Sequence, residues 1–252
     1  MNGQMYQICT IVTAAKIALK NGGEIDYAPL NYEDETKFLF QDGSVARSVS
    51  EWFERTRKLG LDDMKFLSPT SVSDRSLLGF SNTTASGIAC FFADGAASYF
   101  TPHWEFTRQS SQDGKWLITY TQNKWENPPE QKPKFDDNRA EFASVLTRIK
   151  ALAQEIECEH FAGVFQRALN ALNDDDTIAA EYIDKNILAL PKPNLGLFLV
   201  ADISDVFGAM GSWNDSPPYM AQQKGLGKEY DELSDELLCQ NRLALLYAIN
   251  EW

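Results

Sequence analysis

What most constrains this chain is a change of hydrophobic period partway along it. Up to about residue 121, most apolar residues fall in short runs punctuated by Asp-Gly; beyond NPPEQKPKFDDN, residues 127–138, they recur at the three- and four-residue spacing of helices. A chain patterned this way is expected to pair strands in its first half and pack helices in its second. The fold class predicted is α+β: an antiparallel hairpin and meander sheet with flanking helices in residues 1–130, and a mainly helical region over 131–252. The Pro-rich stretch is the best boundary between them, whether as two domains or within one continuous globule.

The first half opens on a helix, because Met5, Ile8, Val12, Ala15 and Leu19 share a helical face and Asn21-Gly22-Gly23 supplies a left-handed stop. The segment 36–41 is rich in strand formers and turns at Asp42-Gly43 into residues 44–47. Ser48 stands three residues before Glu51, the spacing of a capping box, so Trp52 is placed on a helix. A short strand over 64–67 and a helical turn over 73–78 follow. Residues 87–93, 96–101, 104–109 and 115–121, punctuated by Asp94-Gly95 and Asp113-Gly114, then read as a meander. The frame Phe-x-Asp-Gly followed, after eight intervening residues, by Trp occurs twice, at 40–52 and 92–104. One Trp is expected on a helix and the other on a strand, so hairpin chemistry rather than duplication explains the match.

In the second half, Phe142 to Ile156 and Phe161 to Leu172 each carry one apolar face, as two helices or one kinked helix. A helix over 177–188 capped by Thr177 and ended by Pro191-Lys192-Pro193, a buried strand over 195–201 (LGLFLVA) and a last helix from about Lys228 complete the expectation.

Composition narrows the function classes. With 252 residues, 44% hydrophobic and 23% charged, the chain can bury a large core that needs no staples. Its formal charge of −13 repels phosphates, which argues against nucleic acid as a partner. Residues 131–252 hold 11 basic and 20 acidic residues against 12 and 16 in 1–130, so the second half is the acidic one. No run is long enough to span a membrane and the first twenty residues lack the pattern of a signal peptide, so a cytoplasmic location is expected. Cys9, Cys90, Cys158 and Cys239 lie far apart without a CxxC, which favours buried free thiols over a metal or disulfide framework.

No catalytic signature emerges. The only histidines are His103 and His160; Cys158 and His160 are two apart, a spacing that points helical side chains to different faces. There is no GxSxG, and KGLGKEY, 224–230, has Gln222 where a phosphate loop needs its first Gly and Glu229 where it needs Ser or Thr. Gly208-Ala-Met-Gly211 lacks the dinucleotide spacing, and no cofactor or metal is assigned.

The most unusual local composition is ADISDVFGAMGSWNDSPPY, 201–219, where Asp202, Asp205, Asn214 and Asp215 surround a Gly-rich turn carrying Met210 and Trp213. Long loops with aromatic residues are where binding surfaces tend to lie. With the acidic run Asp174, Asp175 and Asp176, these residues form the candidate binding set. Two functions follow: a non-enzymatic, immunity- or inhibitor-like module docking on a basic protein partner, or a metal-assisted hydrolase using Asp202, Asp205 and Asp215 with His103 as acid or base.

Overall fold

A computed structural model describes residues 1–107, 114–173, 187 and 189–252. These fall into two compact units: residues 3–68 with 84–133, and residues 1–2, 69–83 and 134–252. The Asp113 turn, the end of the strand expected at 104–109 and nearly all of the helix expected over 177–188 lie outside the described residues.

Among the described residues the first unit is a six-stranded sheet with two helices, α1 (Gly3–Asn21) and α2 (Val49–Lys58), on one face. Its strands are β1 (Glu33–Leu39), β2 (Val45–Ala46), β3 (Leu61–Leu67), β4 (Gly87–Phe92), β5 (Ala97–Thr107) and β6 (Lys115–Lys124), in the order β2-β1-β6-β5-β4-β3. The expected hairpins and meander account for the antiparallel pairs, but β1 lies parallel to β6, so the sheet is mixed. Strand alternation puts Phe38, Met64, Phe66, Ile88, Cys90, Phe100, Ile118 and Tyr120 on the helix-covered face, all buried. At its centre Phe38 stacks between Trp52 of α2 and Tyr120, at 4.6 and 4.8 Å.

Both Phe-x-Asp-Gly segments form the same turn. Gly43 and Gly95 sit at φ +82° and +86°, their N–H groups donate to the carbonyls of Phe40 and Phe92, and Asp42 and Asp94 accept from the N–H two residues on. Trp52 lies on a helix and Trp104 on a strand, as expected. Ser48 Oγ caps α2 by accepting from Glu51 N at 3.1 Å, while the Glu51 carboxylate returns to Arg47 N rather than to the Ser48 amide.

Helix α1 departs from the amphipathic pattern read in it. Gln4, Gln7, Thr10, Thr13 and Lys16 are buried along with its apolar side. Polar pairing accommodates two of these: Gln7 donates to Thr36 Oγ1 and accepts from the Tyr120 hydroxyl, and the Thr10 hydroxyl donates to the Gln7 carbonyl.

The second unit is helical: α3 (Arg139–Glu155), α4 (Glu159–Leu172), α5 (Lys192–Ser204), α6 (Pro217–Gln223) and α7 (Gly227–Asn250), with a 3-10 turn at Arg75–Gly79. Helices α3 and α4 are separate, broken where Glu157 takes φ +61°. The strand expected over 195–201 is corrected to the middle of α5. Residues Leu197 to Ala201 are all buried, so their unbroken apolar run reflects burial on every side of a helix, and a short apolar run does not distinguish that from a buried strand. The Pro191-Lys192-Pro193 segment starts this helix, Pro being tolerated in a first turn where no N–H partner is needed. Asn194 and Asn241 tie α5 to α7 through bonds to the carbonyls of Ala248, Glu251 and Ala201.

Candidate functional site

The 201–219 stretch runs from the end of α5 through a loop into α6, and Trp213 is what holds the loop down. The Trp213 ring is fully buried, edge-on to Phe161 and Phe165 of α4 at 5.1 and 5.3 Å and 5.3 Å from Tyr230 of α7. Its indole N–H donates to Ser234 Oγ at 2.8 Å, its amide donates to the Val206 carbonyl, and its carbonyl accepts from the Tyr230 hydroxyl at 2.6 Å. Burial pushes the Tyr230 hydroxyl up to about 12, so it remains a donor across the neutral range.

With Trp213 as anchor, Met210 projects at the loop tip with 94% of its surface exposed. The tip is shaped by Gly211 at φ +79°, whose N–H donates to the Asp215 carboxylate at 2.8 Å, and by Ser212 and Asn214, whose side chains donate to the Gly208 carbonyl.

Against this loop lies the 3-10 turn of residues 75–79, in main-chain contact: a Cβ added to Gly79 would stand 2.9 Å from Gly208 Cα and 3.0 Å from Ala209 N. Arg75 fastens the turn to α7, where Asp231 and Asp235 share one helix face; its guanidinium reaches Asp231 Oδ1 at 3.2 Å and pairs with the Asp235 carboxylate. Between turn, α6 and α7 is an open depression of about 340 Å³ lined by Asp74, Arg75, Asn214, Pro218, Tyr230 and Asp231, among others.

Four large apolar side chains of the turn, the loop and α6 are left exposed. Leu77 and Phe80 flank the Gly79 contact, Met210 lies two residues from Gly208, and Tyr219 follows Pro218; they are exposed by 46%, 52%, 94% and 62%. No other large apolar residue of this unit is comparably exposed among the described residues.

The candidate residues read from sequence therefore separate by role. Met210 is presented and Trp213 anchors, while Asn214 and Asp215 shape the tip. Asp202 pairs with the Met1 ammonium at 2.9 Å, and Asp205, almost fully buried, lies 3.9 Å from the Arg242 guanidinium. Among the described residues no three His, Cys, Asp or Glu side chains are grouped to hold a metal ion, and His103 belongs to β5 of the other unit. Asp174, Asp175 and Asp176 lie outside the described residues. Sequence reading missed Leu77, Phe80, Tyr219 and Arg75. The helical turn read over 73–78 is present as the 3-10 turn, with Asp74 accepting from Ser76 N at 2.9 Å, but the DRSLLGF segment is too short for a period that would show which of its side chains are exposed.

None of the four cysteines is in a disulfide; Cys9 and Cys90 are buried, whereas Cys158 and Cys239 are half-buried. Among the described residues no helix is long and apolar enough to cross a membrane. Fold and surface together define a mixed α+β protein with an acidic helical unit that exposes Leu77, Phe80, Met210 and Tyr219 on a turn, a loop and α6. No family model, curated protein or solved structure matches the chain.

Proposed function

We propose that this protein is a non-enzymatic interaction module, of the immunity or inhibitor kind, whose helical unit docks on a basic partner protein. The observation that carries the reading is the exposure of Leu77, Phe80 and Met210 on the turn and loop that meet at Gly79 and Gly208, and of Tyr219 on the adjoining α6, on segments braced by Trp213 and Arg75. Apolar side chains presented on a fixed frame lose little entropy on binding, and large exposed apolar clusters are characteristic of protein contacts. Charge favours a basic partner: by sequence the helical unit holds 11 basic and 21 acidic residues, and Asp74, Asp231 and Asp235 line the depression beside Arg75.

The test is quantitative affinity capture from extracts of the source cell, comparing the native chain with a Phe80→Asp/Met210→Asp variant and with Leu59→Asp, an exposed site in the sheet unit. The reading predicts a strongly basic protein retained by the native chain and by Leu59→Asp, released by salt, and lost with the double variant. Equal recovery with both variants overturns it.

A further inference from the structure

The sheet unit carries a pocket that the docking reading does not use. On the sheet face opposite α1 and α2, an open pocket of about 740 Å³ lies at the end of β5 and β6, a volume within the usual range for small-molecule sites. Strand alternation and register build it: Tyr99 and Asn123 sit directly opposite each other on β5 and β6, and Thr101 follows Tyr99 on the same face. Just past β6 the half-buried Trp125 packs against Phe91 at 6.0 Å and stands at 80° to the Tyr99 ring at 5.9 Å, so two aromatic rings meet at right angles at the wall. Gly87 keeps the floor low, since a Cβ there would stand 2.7 Å from the Phe100 carbonyl oxygen.

The polar lining is prearranged and largely unspent. Asn123 Nδ2 donates to Thr101 Oγ1 and to the Thr121 carbonyl, both at 3.0 Å, which fixes the amide plane and leaves its oxygen to accept. Gln122, paired with Phe100, turns its side chain to the other face, where it accepts from Gln41 N and donates to Ser98 Oγ. Among the described residues no hydrogen bond engages the Tyr99 hydroxyl, the Trp125 indole N–H or the Gln41 side-chain amide. Lys124 and Glu126 bring one charge of each sign, so the lining has no net charge to offer a phosphate or a carboxylate.

Aromatic faces beside oriented amides and hydroxyls, with no net charge, match a ligand with apolar C–H faces and many neutral hydroxyls. We infer that this pocket binds a neutral carbohydrate, one sugar ring resting on Trp125 while its hydroxyls bond to Asn123, Thr101 and Tyr99. The inference stands independently of the docking function.

The test is a tryptophan-fluorescence titration of the full chain with maltose, cellobiose, lactose and N,N′-diacetylchitobiose up to tens of millimolar, with glycerol as control. Saturable binding of at least one sugar is expected, weakened about tenfold or more in Trp125→Ala and in Asn123→Ala. Asn123→Ala removes no core contact and keeps the fluorophore, and isothermal calorimetry reads binding by Trp125→Ala, which lacks it. Failure of all four sugars to saturate, saturation by a neutral peptide such as tetraglycine in their place, or binding unchanged in both variants overturns the inference.

Discussion

Trp213→Ala is the sharpest perturbation of the loop frame. The side chain is fully buried, meets three aromatic rings within 5.3 Å and spends its indole N–H on Ser234. Core truncations of Trp to Ala cost about 3–5 kcal/mol, and here the Ser234 hydroxyl also loses its indole partner, so a loss of about 4 kcal/mol for the helical unit is expected. Trp213→Phe keeps most of the ring contacts and forfeits the hydrogen bond, which places it at about 1–2 kcal/mol. Urea denaturation followed by far-UV circular dichroism measures both. A loss under about 1 kcal/mol for the Ala variant, or equal losses for the two, would refute the claim that this ring pins the 201–219 loop.

Three further outcomes follow from the same packing. Gly163→Ala, at an exposed position inside α4 with open space around the added methyl, should raise stability by about 0.5–1 kcal/mol, read as a higher urea midpoint. Ser48→Ala removes the cap that accepts from Glu51 N and should cost about 1 kcal/mol in the same measurement. Burial holds the Cys90 thiol and the Tyr27 and Tyr120 hydroxyls above their ordinary values of 9.0 and 10.0, so the folded chain keeps protons that the unfolded chain has released. Stability should therefore fall as pH rises beyond those ordinary values, by up to about 1.4 kcal/mol per pH unit per group, and Cys90→Ala should make melting curves across the alkaline range less steep.

Legibility followed the range of the interactions involved. The Asp-Gly hairpins and the Ser48 cap were readable because their hydrogen bonds close within four residues, and the Asn-Gly-Gly stop after α1 because Gly22 takes φ +63° at the expected place. The apolar faces on either side of residue 157 left two helices or one kinked helix open, and Glu157 at φ +61° makes them two. The parallel pairing of β1 with β6 was not readable: it joins segments about 80 residues apart, and no local pattern distinguishes parallel from antiparallel partners. Nor was α5, whose apolar run is buried on all sides. The candidate loop stood out by composition, yet the frame around it depends on Arg75 reaching Asp231 and on two glycines more than a hundred residues apart meeting main chain to main chain. Exposure separated Met210 from Trp213, and exposure is a property of the folded chain.

The most direct measurement of the docking claim is photo-crosslinking in the source cell, with a photoreactive phenylalanine analogue at position 210 and, as control, at position 59 in the sheet unit. The account predicts one dominant adduct with a basic protein from position 210, absent from position 59 and abolished by Phe80→Asp. No adduct from position 210, or the same adducts from both positions, would contradict it.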